Sequence, residues 1–266
     1  STFSGETDLE SALDLNVPNN QFEIHIQEAK AMLDLKQSLK TGPDDIKNYP
    51  IHKELALLNL GRNRFEKAIE SFSTAIKLAP EGFDVTALFA GRGESLFNLG
   101  LYQQALIDFD IAISLDPGES DYYLLRGNTH RVLMQYDKAL EDLEKSIQLE
   151  HRPTDERYIN QIIKMGQEPL RIILSGDPSD AYKVRGITYN SLGKYQHALS
   201  DLNHVLTSAP KDVKSYLNRG VSYFNSGDLV PAMADFNTAV KLEPENATPL
   251  IFRGVAFSGS SLTAVL

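Results

Sequence analysis

The chain has 266 residues, of which 42% are hydrophobic and 23% charged, and it contains zero cysteines. This composition is typical of a globular protein, and the lack of cysteine excludes disulfides, thiolate metal sites and a cysteine nucleophile. The net charge of −10 does not supply the positive field that phosphate binding requires, so nucleic acid is not an expected partner.

The N-terminal part carries a large share of the negative charge. Residues 1–50 contain nine Asp or Glu and four Lys, a net charge of −5. We predict that residues 1–48 are a loosely ordered acidic segment followed by a capping helix, located in QFEIHIQEAKAMLDLKQSLK (21–40), which shields the open end of the next core. Neither a signal peptide nor a run of about 18 apolar residues is found. We therefore expect a cytoplasmic or other reducing intracellular location without membrane insertion.

An arginine followed by a glycine recurs along the rest of the chain. The five glycines are Gly93, Gly127, Gly186, Gly220 and Gly254. They are separated by 34, 59, 34 and 34 residues, and 59 exceeds 34 by 25, so a single period is interrupted once. A 34-residue period is typical of helix-turn-helix repeats.

Within each period the same residue types return at the same places. In residues 86–119 they are Phe89, Gly93, Leu96, Gly100, Tyr102, Ala105, Phe109, Ala112 and Pro117. On this pattern the chain resembles the tetratricopeptide repeat family. The resemblance implies an all-α fold, a right-handed superhelical solenoid of antiparallel helix pairs, with three units in 49–153 and two units plus a final half unit in 179–266.

Small residues recur where the two helices of a unit are expected to cross. Gly93, Ala105 and Ala112 have helical spacing on facing sides of the 86–119 unit. Two helices approach to about 8–10 Å only where the crossing residues are small. These positions are therefore interpreted as architecture.

The arginine before each glycine calls for a separate interpretation, because the family usually has a buried leucine at this seventh position. The four units with complete second helices also carry an aspartate sixteen residues after the arginine. The arginines are Arg92, Arg126, Arg185, Arg219 and Arg253, and the aspartates are Asp108, Asp142, Asp201 and Asp235. A partly buried guanidinium requires a carboxylate partner, so we favour structural ion pairs; contact with a ligand is the alternative.

Residues 154–178, TDERYINQIIKMGQEPLRIILSGDP, interrupt the period. They contain two short apolar-periodic segments, too short for a full unit. One interpretation is a degenerate short helical repeat that keeps the stack continuous. The other is a kink that divides the array and offers a partner site.

The sequence lacks the motifs of common catalytic sites. The six histidines have no metal-ligand spacing, and GRGESLFNLG lacks the third glycine and the preceding strand of a dinucleotide site. We expect no enzyme activity, no cofactor and no metal.

The resemblance instead points to a peptide-binding groove, because stacked first helices of this family form a concave trough. The residues at the positions that the family turns inward include Phe97, Asn98, Asn128, Arg131, Lys183, Asn190, Asn218, Phe224 and Asn225. Asparagine side chains can both donate to and accept from a peptide backbone. We therefore expect a protein or peptide partner, within a multi-protein complex, and a role as an interaction scaffold.

Two other functions remain open from the sequence. One is a targeting or regulatory module of a larger enzyme, favoured by the final half unit. The other is a chaperone adaptor, whose two-carboxylate clamp needs five polar residues. Lys183 and Asn218 fit that clamp, but Ile187 replaces an asparagine, and Ile251 and Phe252 are among the residues that supply no cation.

Overall fold

The structure, a computed structural model, describes residues 46–150 and 179–258. All regular elements in these two ranges are helices. A 3-10 helix, Ile46–Asn48, is followed by α1 (Tyr49–Gly61), α2 (Phe65–Leu78), α3 (Thr86–Asn98), α4 (Tyr102–Leu115), α5 (Ser120–Val132), α6 (Tyr136–Glu150), α7 (Ser179–Ser191), α8 (Tyr195–Ser208), α9 (Val213–Asn225), α10 (Leu229–Leu242) and α11 (Ala247–Ser258). The predicted N-terminal capping helix and the segment 154–178 lie outside the described residues.

In each repeat unit with both helices described, a residue with left-handed backbone conformation lies two positions after the end of the first helix. These residues are Asn63 (φ 56°), Gly100 (77°), Met134 (58°), Gly193 (69°) and Gly227 (92°). In the 179 unit, the Gly193 amide donates to the Asn190 carbonyl and the Lys194 amide to the Tyr189 carbonyl. Such paired bonds satisfy the last carbonyls of a helix and turn the chain back. The turns therefore have one geometry although two of them lack glycine.

The chain divides into two compact units, Ser1–Leu88 and Phe89–Leu266. In the first, α1 packs on α2 around Ala56, Ala68, Phe72 and Ala75, all of which are fully buried. Ala56 takes the place that glycine has elsewhere, and it accommodates the same close approach.

In the second compact unit, Phe89–Leu266, glycine is required where the two helices of a repeat cross. A Cβ atom at Gly93 would lie 2.7 Å from Cε1 of Phe109, and one at Gly220 would lie 2.5 Å from Cε1 of Phe236. Both phenylalanines are fully buried, so neither ring has free space to move into. The glycines are therefore steric requirements of the fold.

The helices on either side of residues 151–178 are in direct contact. Helix α7 contacts α6 directly, just as α5 contacts α4, α9 contacts α8 and α11 contacts α10. Leu124, Leu143 and Ile147 form one buried cluster with Ala181, and Tyr182 packs against it. The helix pairs α5–α6 and α7–α8 are therefore direct neighbours, although 28 residues separate α6 from α7 along the chain.

Within the described ranges, no helix combines the length and apolar character needed to cross a membrane.

Candidate interaction surface

Four arginines of the recurring Arg-Gly pairs make two-point ion pairs with the aspartates sixteen residues later. In each, Nε and Nη2 donate to the two carboxylate oxygens. The two distances are 2.8 and 2.7 Å for Arg92–Asp108, 2.9 and 2.7 Å for Arg126–Asp142, 2.8 and 2.8 Å for Arg185–Asp201, and 2.8 and 2.6 Å for Arg219–Asp235. Each pair joins the first and second helices of one unit. Arg253 lies half-buried on α11, and its counterpart position falls after residue 266.

The carboxylates of these pairs are buried and the guanidinium groups are partly covered. Asp108 exposes 2% of its surface and the other three aspartates at most 5%. Each guanidinium also lies over the ring three residues earlier; the carbon at its centre is 5.3 Å from the ring centroid in Arg185–Tyr182 and 5.7 Å in Arg126–Tyr123. Hydrogen bonds to the aspartates raise the pKa of all four arginines, and this effect exceeds the opposing effect of burial. The four guanidinium groups therefore stay protonated throughout the physiological pH range.

The arginines also reach a third helix, a contact that the sequence interpretation missed. Nη1 of Arg126 donates to Asp110 on α4 at 2.7 Å, and Nη1 of Arg219 donates to Asn203 on α8 at 2.7 Å. Nη1 of Arg185 is 3.3 Å from Glu144 on α6. These acceptors occupy the twenty-fifth position of the preceding unit. The recurrence of a polar residue at that position in the sequence could have predicted this contact.

The groove candidates lie on first helices, which contact one another in order within the second unit. Helix α7 contacts α5, α9 contacts α7, and α11 contacts α9. This row carries Asn128 and Arg131 on α5, Lys183 and Asn190 on α7, and Asn218, Phe224 and Asn225 on α9; Phe97 and Asn98 lie on α3.

Asn190 connects two first helices. Its Nδ2 donates to the carbonyl oxygen of Asn218 at 2.9 Å, and its Oδ1 accepts from the Ser222 hydroxyl at 2.6 Å. Ser222 is fully buried. Both the donor and the acceptor of the Asn190 side chain are thus bonded within the fold, and this residue links α7 to α9.

The other amide candidates are only partly engaged. Nδ2 of Asn98 donates to the Glu94 carbonyl at 2.9 Å, and Nδ2 of Asn218 donates to the Lys214 carbonyl at 2.8 Å. These bonds stay within one helix and use only the Nδ2 donor of each side-chain amide. The Oδ1 atom of each is therefore an acceptor that a peptide N–H could use. Asn225 is exposed.

Asn128 and Arg131 form a pair on α5. Nε and Nη2 of Arg131 donate to Oδ1 of Asn128 at 3.0 and 2.9 Å. Burial lowers the pKa of Arg131, although an arginine stays charged throughout the physiological range. The two side chains therefore present one cationic, hydrogen-bonded group.

The remaining groove candidates are a lysine and two aromatic residues. Nζ of Lys183 lies 2.6 Å from Asp180 and 3.7 Å from Asp212, so acidic neighbours already compensate its charge. Phe97 meets Tyr102 edge-on at 5.4 Å between ring centroids. Phe224 packs at the side of a core cluster. Both phenylalanines are half-buried.

Two of the histidines pack on aromatic rings. The ring centroids of His204 and Tyr182 lie 4.0 Å apart, and those of His197 and Tyr189 lie 5.1 Å apart. Over residues 46–150 and 179–258, no group of three or more His, Cys, Asp or Glu side chains is arranged to hold a metal ion.

Comparisons with known proteins match the repeat pattern. Two family models, both described as tetratricopeptide repeat, match residues 53–120 and 213–246. The chain is 23% identical over 172 residues to the DnaJ homolog subfamily C member 7 homolog of Schizosaccharomyces pombe, covering 61% of this chain and 35% of that protein. It is 28% identical over 99 residues to Hsp70-Hsp90 organizing protein 3 of Arabidopsis thaliana, covering 37% and 17% respectively. The chain thus spans about a third or less of these curated relatives.

Solved structures match over more of the chain. A tetratricopeptide repeat protein from Parabacteroides merdae aligns with a TM-score of 0.64 at 18% identity, covering 96% of this chain and 86% of that one. YrrB, described as a TPR protein with an unusual peptide-binding site, aligns with a TM-score of 0.53 at 18% identity, covering 81% and 95%. At this identity the likeness concerns the fold. The solved structures thus show the fold, and the two family models, with the 34-residue period and the helix hairpins, show that the chain contains tetratricopeptide repeats.

Proposed function

We propose that the chain is a non-catalytic scaffold that binds an extended or helical peptide of a partner protein along its first helices. The observation that carries the proposal is the row formed by α5, α7, α9 and α11, on which partly engaged amides lie beside a half-buried aromatic ring. The amides can hydrogen-bond a peptide backbone, and the ring can seat one apolar side chain. The name of YrrB, which mentions a peptide-binding site, supports this use of the fold.

The binding site of this proposal centres on α9. Asn218 and Asn225 supply backbone contacts and Phe224 supplies the anchor. Asn190 contributes indirectly, since its amide fixes α9 against α7. We also propose a cytoplasmic location, because a chain with zero cysteines needs no oxidising compartment.

A random peptide library displayed on phage, selected on the whole chain, provides the probe for the test. Asn218→Ala combined with Phe224→Ala should weaken the selected peptide tenfold or more, because interface energy concentrates in a few anchors. Asn218→Ala with Asn225→Ala changes no packed ring and should also weaken binding. Lys194→Ala with Gln196→Ala, both exposed near the start of α8, is the control and should change nothing. Weakening by the control pair alone would contradict the proposal.

A chaperone adaptor is the second candidate, favoured by the names of the two curated relatives. It predicts binding of an acidic peptide with a free C-terminal carboxylate. Lys183 is already compensated by Asp180 and Asp212, so we expect no binding of that peptide. Salt-sensitive micromolar binding that Lys183→Ala abolishes would favour the adaptor instead. The regulatory module of a larger enzyme stays a proposal of the same kind, because the chain spans only part of its relatives.

A further inference from the structure

Arg131 on α5 has no carboxylate partner in the described part of the chain. Its Nε and Nη2 atoms both donate to Oδ1 of Asn128, which carries no compensating charge. Burial has the largest effect on the pKa of Arg131 and lowers it. By contrast, the four arginines of the Arg-Gly pairs on α3, α5, α7 and α9 each hold an aspartate. Because charges that are taken out of water are normally paired, the group on α5 is an exception.

The hydrogen bonds of Arg131 also stay within its own helix. Asn190, at the same twelfth position of the next unit, bonds α9 through both its donor and its acceptor, and the acceptor takes the Ser222 hydroxyl. On α7 the hydroxyl that corresponds to Ser222 is that of Thr188, and it donates to the Val184 carbonyl at 2.8 Å. Arg131 thus forms no hydrogen bond to α7, and within the described residues its Nη1 atom has no partner.

Glu94 on α3 has the opposite charge and is also unpaired. It occupies the ninth position of its unit, as Asn128 does in the following unit, and burial raises the pKa of its carboxyl. Over residues 46–150 and 179–258, no cation or hydrogen-bond donor opposes that effect. Helices α3 and α5 are neighbours, since Ala90 of one and Tyr122 of the other belong to the same buried cluster. Neighbouring first helices thus carry an anion and a cation that do not pair with each other.

Both charged groups can be reached from outside. Among the described residues, the fully buried side-chain polar atom without a hydrogen-bond partner is Oγ of Ser146. The unpaired atoms of Glu94 and Arg131 therefore reach the surface, although both residues are half-buried. Each residue also adjoins a groove candidate. Asn98 donates to the Glu94 backbone carbonyl, and Asn128 accepts from Arg131.

We infer that the bound peptide carries a basic side chain that pairs with Glu94 and an acidic side chain that pairs with Arg131. Charges interact more strongly in a partly desolvated groove than in water, and the ligand would supply the partners that the fold does not. A carboxylate can accept from the unused N–H groups of the guanidinium. The inference rests on the proposed function, since it states the charge pattern of the peptide that the first helices bind.

The acidic group is a side chain of the peptide rather than its C-terminal carboxylate. Helices α7 and α9, with Asn218 and Phe224, lie on one side of α5, and α3, with Glu94, is the first helix of the preceding unit. A peptide that contacts both sides continues past Arg131 in both directions, so its chain does not end there.

Random peptide libraries displayed on phage test the charge pattern, with the whole chain and its variants as targets. Peptides selected on the wild type should share one acidic and one basic position in a fixed order, because Glu94 and Arg131 lie on different helices. Arg131→Glu should select a basic residue in place of the acidic one, and Glu94→Lys an acidic residue in place of the basic one. Lys194→Glu, at an exposed site beside α8, is the matched control and should change neither.

A synthetic peptide from the wild-type selection gives the affinities. Arg131→Gln keeps a donor for Asn128 but removes the positive charge, and Glu94→Gln removes the negative one. Each should weaken binding about tenfold or more, the loss expected for a hydrogen bond to a charged group. Thermal melting of each variant shows that it is folded. Amidation of the peptide C-terminus should change nothing, and a large loss on amidation would overturn the inference in favour of a terminal carboxylate.

The failure of this inference differs from the failure of the proposed function. Selected peptides without the charge pattern would overturn the inference, as would a pattern that persists in Arg131→Glu and Glu94→Lys. If such peptides still depend on Asn218 and Phe224, the proposed function stands. A library that yields no peptide on the wild type would overturn the proposed function and, with it, this inference.

Discussion

Arg219 and Asp235 form a two-point ion pair, in which Nε and Nη2 of the arginine lie 2.8 and 2.6 Å from the two carboxylate oxygens. The pair connects α9 to α10, and Nη1 of the same arginine connects α9 to Asn203 on α8. One side chain thus holds three helices. The arrangement recurs at Arg126 and Arg185 with Asp110 and Glu144 as the third partners.

Removing the carboxylate of this pair should destabilise the chain. Asp235→Ala leaves the Arg219 guanidinium, whose side chain is 20% exposed, without its main acceptor, and the expected loss is about 1–3 kcal/mol. Asp235→Arg should cost more, and the swap with Arg219→Asp should recover part of the loss. Urea unfolding measures the effect, with the exposed Asp137→Ala as control. If the swap recovers nothing, the pair contributes little to stability.

Adding a side chain at the crossing of α9 and α10 should also destabilise the chain. A Cβ at position 220 would lie 2.5 Å from the fully buried ring of Phe236. Gly220→Leu should therefore cost about 1–3 kcal/mol through overpacking. The matched control is Gly254→Ala, which meets no atom within 4 Å and should stabilise α11 by up to about 1 kcal/mol through helix propensity. Equal melting temperatures for the two variants would contradict the packing argument.

Met134 should be a stabilising position for glycine. It has φ 58° and is 75% exposed, and the equivalent turns contain Gly100, Gly193 and Gly227. A left-handed conformation costs a non-glycine residue about 1–2 kcal/mol, whereas glycine adds about 0.4–1 kcal/mol of unfolded-state entropy. Met134→Gly should thus raise the free energy of unfolding by up to about 1 kcal/mol. The reverse change, Gly193→Met, should lower it; a gain from both would refute the conformational explanation.

Glu94 should make stability depend on pH. Burial raises the pKa of its carboxyl above the ordinary 4.5, so the folded chain favours the neutral acid. The stabilisation that the neutral Glu94 carboxyl gives to the folded chain is fully present below the unfolded-state pKa. It is lost as the pH rises through the folded-state pKa. Glu94→Gln should therefore melt at a higher temperature than the wild type at pH 7, and this difference should shrink towards pH 4. Glu141→Gln, at an exposed site, is the control and should show no such trend.

The sequence by itself determined the repeat unit and the partners within it. Residues sixteen apart meet across one helix hairpin because two helices of fixed length are joined by a turn of fixed geometry. The spacing between Arg92 and Asp108, or between Gly220 and Phe236, therefore specifies a contact wherever the hairpin forms. The turns kept that geometry even at Asn63 and Met134, where glycine is absent.

The tertiary structure decided how units meet. From sequence spacing alone, it was open whether the helix pairs on either side of residues 151–178 are neighbours. The direct contact of α6 with α7 shows that they are. The reason is that buried apolar residues such as Leu143 and Ala181 pack together in space although they are far apart along the chain. The same holds for Asn190. Its sequence position predicts an inward amide, but its hydrogen bonds depend on which helix lies beside it, and α9 uses both ends of that amide.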